Sequence, residues 1–191
     1  TETDKPVTTQ DMMDLQANTQ MLDAELTLPM LLGIMANIPV PADSMMAQAL
    51  DVLSTWDYSA PTGIAEGWDA GDDPVMAVEP DETEIRNSAA ATVFAAWRSM
   101  LVQNTIDFTL TTYGMGDNLP GGTQAVRAFN HHLLNYGNNG GIGASGLNFF
   151  LAGLPETVAG SLQQALDLLA SDEFAPAFAN STDIMDYRFG K

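Results

Sequence analysis

The sequence predicts a mostly α-helical, irregular domain with long loops rich in glycine, proline and acidic residues. Along several segments, apolar residues recur at steps of three and four, which is the spacing of one face of a helix. No segment shows the convincing alternation of apolar and polar residues that indicates a strand. The chain has 191 residues, of which 46% are hydrophobic, enough for one domain with a core. We therefore expect residues 1–191 to form a single helical unit.

The amino-terminal part predicts two helices separated by a proline. The first is expected at residues 9–28, because its apolar positions fall on one stripe of a helix. These positions are Met12, Leu15, Thr19, Leu22 and Leu26. Pro29 is expected to break or kink this helix, since proline has no backbone N–H and its ring clashes with the preceding turn. A second, strongly apolar helix is expected at residues 30–37.

A third helix is expected at residues 44–56, with Asp43 or Ser44 as its N-cap. Its apolar face is formed by Met46, Leu50 and Leu53. This spacing places Trp56 where it can seal one end of a helical core. Residues 57–87 then carry glycines, prolines and many carboxylates, and the sequence predicts a long loop there.

Three further helices are expected in the second half of the chain. They cover residues 88–110, 123–136 and 155–170. Ser88 and Thr123 are expected to cap the first two, because a hydroxyl oxygen can accept hydrogen bonds from the first turn. Pro155 suits the first turn of the third helix, where its missing N–H has little effect. A short turn is expected near the end of the chain, at Ile184-Met185-Asp186.

The charge of the chain excludes two classes of partner. The sequence has 6 Lys and Arg residues against 25 Asp and Glu residues, a formal net charge of -19. Such a surface repels phosphate backbones and anionic lipids, so we expect no nucleic acid and no membrane partner. The sequence has no Cys, which excludes disulfides, thiolate metal sites and a cysteine nucleophile. It also has no run of about 18 apolar residues that could span a bilayer.

Two motifs are typical of ligand sites, but each has a structural interpretation that we favour. Residues 141–146 read Gly-Ile-Gly-Ala-Ser-Gly and match the G-x-G-x-x-G pattern of dinucleotide sites. That pattern is informative only between a strand and a helix, and here it follows a helix, so we expect a turn or covering loop. His131 and His132 are the only histidines, and adjacent helix residues point about 100° apart. We therefore expect no shared metal ion, with one imidazole buried and hydrogen-bonded and the other solvated.

A group of carboxylates is a candidate metal site, and a terminal hydroxyl is a candidate nucleophile. Asp69, Asp72 and Asp73 supply the oxygen ligands that Ca²⁺ prefers, but their spacing is not that of an EF-hand, which favours a solvated acidic loop. Thr1 has the hydroxyl and amine of an N-terminal nucleophile. The polar residues and Pro6 that follow it are typical of a linker, whereas such a nucleophile needs a buried strand. No serine completes the G-x-S-x-G pattern.

Six segments of the chain carry a family resemblance. They are residues 9–16, 28–32, 49–57, 87–97, 162–169 and 186–191. Taken in order, they resemble the later half of the β subunit in the penicillin acylase (penicillin amidase) family of N-terminal nucleophile hydrolases. The last segment reads Asp-Tyr-Arg-Phe-Gly-Lys, and the family commonly has Trp where Phe189 stands.

The resemblance implies a helical fragment of an α+β (αββα) hydrolase that cleaves linear amides, such as the side chain of a β-lactam antibiotic or the amide of an acyl-homoserine lactone in quorum quenching. In that family a serine at the new N-terminus of the β chain attacks the amide with its own amine as base, and backbone and Asn donors stabilise the oxyanion. Those residues lie upstream of the matched segments. The resemblance therefore assigns no catalytic, cofactor-binding or metal-binding residue to this chain, and any calcium ion would be bound elsewhere in the parent enzyme.

Two interpretations stay open from the sequence. In the first, the chain supports a periplasmic or secreted amide hydrolase, is inactive alone, and has the α subunit and the N-terminal part of the β subunit as partners. In the second, it is a freestanding acidic helical protein-binding module. The first residues lack the basic head and apolar middle of a signal peptide, so we expect Thr1 to be a mature end or a cut inside a longer protein.

Overall fold

The structure, a computed structural model, describes residues 7–16, 18–61 and 80–190. Its α-helices are α1 (Thr9–Gln16), α2 (Leu22–Met35), α3 (Met45–Ser54), α4 (Glu82–Val102), α5 (Phe108–Thr112), α6 (Gly122–Leu134), α7 (Tyr136–Asn139), α8 (Leu154–Leu169) and α9 (Ala175–Phe178). A π-helical turn, Gln103–Asp107, joins α4 to α5, and 3-10 turns lie at Gly116–Asn118 and Ile184–Asp186. These residues form no strand, only the isolated β-bridges Gln20–Ser59 and Ile142–Asn148. The predicted mostly α fold is confirmed, and no helix in this part of the chain is long and apolar enough to cross a bilayer.

The core is built around α4, which packs along α8 and also contacts α3 and α6. The buried side of α4 has alanines near its start and large apolar side chains further on. Small alanines let neighbouring helices approach closely, and the larger side chains fill the centre. Phe94, Trp97 and Leu101 are at most 1% exposed. The Trp97 indole Nε1 donates a hydrogen bond to the Val158 carbonyl at 3.0 Å, which fixes α4 against α8.

Pro29 does not break the helix, so the prediction of separate helices at residues 9–28 and 30–37 is wrong. The proline lies inside α2, which runs from Leu22 to Met35. It removes one backbone hydrogen bond, the one to the carbonyl of Glu25. Both residues are exposed, so water can replace the missing donor and the helix continues. The helix predicted at residues 30–37 is therefore the second half of α2.

The chain leaves the helical path between α1 and α2 instead, within the helix predicted at residues 9–28. The Met21 N–H donates to the Tyr58 carbonyl at 2.8 Å, and this bond holds the segment before α2 against the segment after α3. The predicted apolar stripe is not formed as a buried face. Leu15 and Leu22, two of its members, are 67% and 68% exposed.

Helix α4 begins earlier than predicted. Its N-cap is Asp81, whose carboxylate accepts hydrogen bonds from Thr83 N at 2.7 Å and from Glu84 N at 2.8 Å. The Glu84 carboxylate accepts from Asp81 N at 2.8 Å, which completes a capping box. Ser88 is buried inside the helix, so its prediction as the cap is wrong, and so is the prediction of a loop up to residue 87. The single helix predicted at 88–110 is also interrupted by the π turn.

The remaining helices lie close to their predicted positions. Ser44 caps α3, and its hydroxyl oxygen accepts from Ala47 N at 3.1 Å. Helices α6 and α8 begin and end within two residues of the predicted bounds. The N-cap of α6 is Gly121, so the prediction of Thr123 as its cap is wrong. The turn predicted at Ile184-Met185-Asp186 is present as a 3-10 turn.

Candidate functional site

Three of the segments that carry the resemblance meet near the start of α4. Their meeting point, the motif junction, consists of Trp56, Asp57, Asn87, Ser88 and Phe189. Asn87 is 6% exposed, and its side-chain Nδ2 donates to Asp57 Oδ1 and to Ser59 Oγ, each at 2.9 Å. This amide therefore ties the residues that follow α3 to the first turns of α4.

Asp57 acts in the motif junction as an anionic hydrogen-bond acceptor. Burial raises its pKa, but hydrogen bonds from Ser59 and Asn87 outweigh burial, and the net effect is a pKa below the ordinary value of 3.8. The carboxylate also accepts from the Ser59 backbone N–H at 2.9 Å. Asp57 is thus ionised at neutral pH and surrounded by donors, an arrangement that holds the chain in place and does not poise a base.

Trp56 closes the same end of the core. Its side chain is 5% exposed, and its ring centroid lies 5.7 Å from that of Phe94 on α4. The indole Nε1 donates to the Ser59 carbonyl at 2.6 Å, so the one polar atom of the ring is satisfied. Trp56 lies where the sequence predicted it, as a packing residue.

The carboxy-terminal segment docks on the motif junction through Ser88. The Phe189 N–H donates to Ser88 Oγ at 2.8 Å, and Ser88 is fully buried. The side chain of Tyr187 is also buried, and its hydroxyl donates to the Ser181 carbonyl at 2.9 Å. Burial, together with the charges of Asp186 and Asp183, raises the pKa of Tyr187 to about 12. The phenol therefore stays protonated and serves as a structural donor.

An apolar cleft of about 310 Å³ lies beside this segment. Its larger lining side chains are Leu168, Leu169, Phe174, Phe178, Arg188 and Phe189. The Arg188 guanidinium donates to the carbonyls of Met185 at 2.5 Å and Tyr187 at 2.9 Å. Since this guanidinium binds the backbone of its own segment, the cleft offers mainly apolar surface.

The glycine motif at residues 141–146 lies in a loop between α7 and α8. Gly141 has φ +80°, and a Cβ at this position would lie 2.5 Å from Phe150 Cδ2. A Cβ at Gly143 would lie 3.1 Å from atoms of both His132 and Phe149. The glycines let the loop pack closely on aromatic rings, which is the role of a covering loop. Within described residues 80–140, which precede the motif, there is no strand of the kind that a dinucleotide site requires.

The two histidines lie near the end of α6, with His131 exposed and His132 buried. Their ring centroids are 5.4 Å apart and the rings are nearly perpendicular, at 76°. His132 stacks on Phe149 with a centroid distance of 4.1 Å and an angle of 21°. Within the described part of the chain, His132 Nδ1 has no hydrogen-bond partner, so the hydrogen bond that we expected for the buried imidazole is missing at this nitrogen.

Thr1 and the acidic residues Asp69, Asp72 and Asp73 lie outside the described residues. Within residues 7–16, 18–61 and 80–190, no three His, Asp or Glu side chains are grouped so that they could hold a metal ion.

One polar feature was missed by the sequence analysis. A groove of about 730 Å³, here the α2–α6 groove, is lined by residues of α2, α4, the π turn and α6. Its charged residues are Asp23, Arg98, Asp107 and Arg127. Arg98 forms an ion pair with Asp23 and lies 5.8 Å from the Phe94 ring centroid. Two of the 6 basic residues of this strongly acidic chain thus line one groove. Because basic residues are so rare in the sequence, their positions are the signal that could have indicated the groove.

The comparison with protein families agrees with the resemblance noted in the sequence. A family model described as penicillin amidase matches residues 1–188. No curated protein matched the chain, and no solved structure matched it. The matched range includes every residue of the motif junction except Phe189. Because one family model covers nearly all of the sequence, the chain belongs to the penicillin amidase family, a family of amide hydrolases.

Proposed function

We propose that the chain is the helical support of an enzyme that hydrolyses linear amides, such as the side-chain amide of a penicillin or the amide of an acyl-homoserine lactone. Family membership over residues 1–188 supports the reaction class. The observation that carries the supporting role is the motif junction, where the polar groups of Asp57, Asn87 and Ser88 bind other parts of the same chain.

In this proposal the reacting groups come from other parts of the enzyme. A nucleophilic serine with a free amine, and the donors that stabilise the oxyanion, are supplied by the α subunit and the N-terminal part of the β subunit. The described hydroxyls in the core are already used in structural hydrogen bonds. Ser161 Oγ, for example, accepts from Asn104 Nδ2 at 2.9 Å, and this bond joins α8 to the π turn.

Exposed apolar side chains supply the surface on which those parts would pack. On α1 and α2 these side chains are Met12, Met13, Leu15, Leu22 and Leu26, each 47% or more exposed. Leu22 and Leu26 are one turn apart and so share a face of α2. Burial of this apolar surface against a partner is favourable. In this proposal the partner is the catalytic sheet of the same periplasmic or secreted enzyme.

The test compares the protein encoded by the complete reading frame with residues 1–191 produced alone. Release of the free acid is measured from a phenylacetyl amide and from an acyl-homoserine lactone, and circular dichroism checks that both proteins are folded. We expect the complete protein to release acid and residues 1–191 to release none. The ratio of the two rates for the complete protein then identifies the preferred acyl group.

Two results would contradict the proposal. Turnover by residues 1–191 that is lost when the Thr1 amine is blocked would place the nucleophile in this chain. A reading frame that starts just before Thr1, ends after Lys191 and yields a folded protein without hydrolase activity would favour the freestanding protein-binding module.

A further inference from the structure

The α2–α6 groove contains a carboxylate with no visible task in the fold. Asp107 is the last residue of the π turn and is half-buried. Among the described residues its carboxylate forms neither a hydrogen bond nor an ion pair, and burial raises its pKa above the ordinary value of 3.8. Partial burial disfavours the ionised carboxylate, and a positively charged ligand group beside it would offset this effect.

The backbone around Asp107 is also unusual. Residues 103–107 form a π-helical turn in the middle of an otherwise continuous helical segment. Turns of this kind are rare and are frequently found at functional sites, because the wider turn redirects the side chains that follow it. Thr105 and Ile106 are buried, while Asp107 lines the groove.

Positive charge in the groove is contributed by α6. Arg127 lines the groove, and within the described residues its guanidinium has no carboxylate partner, whereas Arg98 is paired with Asp23. The first turn of α6 also lines the groove, through Gly122 and Thr123. No side chain caps this turn, so its N–H groups add donors beside the guanidinium.

We propose that the α2–α6 groove binds a small zwitterion of the α-amino-acid class, with its ammonium group on Asp107 and its carboxylate on Arg127. A simple anion would be repelled by Asp107, and a simple cation by Arg127, whereas a zwitterion satisfies both charges. Val102, Ala125 and Val126 line the same groove and offer apolar contacts to the ligand side chain. The site goes beyond amide hydrolysis, because no bond is made or broken in it.

The test titrates the purified full-length protein with L-leucine by isothermal calorimetry. N-acetyl-L-leucine, which lacks the ammonium charge, and L-leucinamide, which lacks the carboxylate, are the matched ligands. Loss of one charge-assisted contact lowers affinity by about tenfold or more. We expect saturable binding of L-leucine and a loss of that size for each analogue, for Asp107→Asn and for Arg127→Gln. Glu173→Gln, an exposed carboxylate outside the groove, should bind L-leucine as the original protein does.

The proposal is overturned if L-leucine shows no saturable binding, if either analogue binds as tightly, or if Asp107→Asn and Arg127→Gln bind unchanged. Melting temperatures separate binding from folding, because Asp107→Asn should melt at the same temperature or higher. If a variant does not fold, the affinities of the original protein for the three ligands decide whether the proposal holds. Binding without any hydrolysis would still support this site, so its outcome is independent of the amide hydrolase proposal.

Discussion

At the scale of single residues, His132 is a buried titratable side chain whose surroundings change its chemistry. The imidazole is 9% exposed and stacked on Phe149, and its neighbour Gly143 leaves no room on the loop side. Burial, followed by the charge of His131, lowers its pKa below the ordinary value of 6.5. The folded protein therefore prefers the neutral imidazole, and a proton is bound more readily when the chain is unfolded.

This preference predicts that the protein loses stability in mild acid. The contribution of neutral His132 is complete above the unfolded pKa of 6.5 and is lost as the pH falls toward the lower folded pKa. We expect the free energy of unfolding in urea to decrease between about pH 7.5 and pH 5.5, where most carboxylates stay ionised. His132→Phe, which keeps the stacked ring, should flatten this decrease, and His131→Gln should keep most of it. An equally steep decrease in both variants would contradict the assignment.

At the scale of elements, the sequence predicted correctly those helices whose ends depend on residues within the same segment. Ser44 caps α3 from within its own segment, and the leucines of α8 define their helix without outside help. Pro29 and Ser88 misled the prediction because their surroundings decide their roles. Pro29 is tolerated on an exposed face. Ser88 binds the backbone of Phe189, which is 101 residues away in the sequence. Such distant pairs cannot be read from local patterns.

The candidate site was predictable only in part, for the same reason. The motif segments could be recognised in the sequence by their order. The hydrogen bonds that join them, which involve Asn87 and Ser88, could not be predicted. The α2–α6 groove escaped prediction because Asp107 and Arg127 are far apart in sequence, and because nothing in residues 103–107 signals a π turn.

The docking of the carboxy-terminal segment on α4 can be measured through Ser88. Ser88→Ala leaves the Phe189 N–H without its acceptor, and loss of this partly buried hydrogen bond costs about 0.5–1.5 kcal/mol. We expect the urea midpoint to fall by the corresponding amount. Ser99→Ala, on the exposed side of the same helix, is the matched control and should change stability by less than about 0.5 kcal/mol. Equal effects of the two substitutions would show that the hydrogen bond adds nothing.

At the scale of the whole molecule, charge is the dominant property. The chain has a formal net charge of -19, and the ion pairs among the described residues are Arg86–Asp51 and Arg98–Asp23. Most carboxylates therefore repel one another across the surface, and compact folding concentrates that repulsion.

The repulsion predicts that salt stabilises the protein. Screening shortens the range of charge interactions from about 30 Å at 0.01 M to about 8 Å at 0.15 M, so most of the effect should appear below about 0.2 M sodium chloride. We expect the melting temperature to rise by about 2–4 °C for each kcal/mol of repulsion removed. A melting temperature that is independent of salt, or that rises only at molar salt, would contradict this explanation.

The docking of Phe189 on Ser88 also has a consequence for biosynthesis. The two residues are 101 positions apart, so a ribosome that has just released α4 has not yet made its partner. During that interval the nascent chain carries an incomplete hydrophobic interior, the state in which polypeptides most readily associate wrongly or attract chaperones. The packing of α4 is therefore completed only after the segment that contains Phe189 has been made.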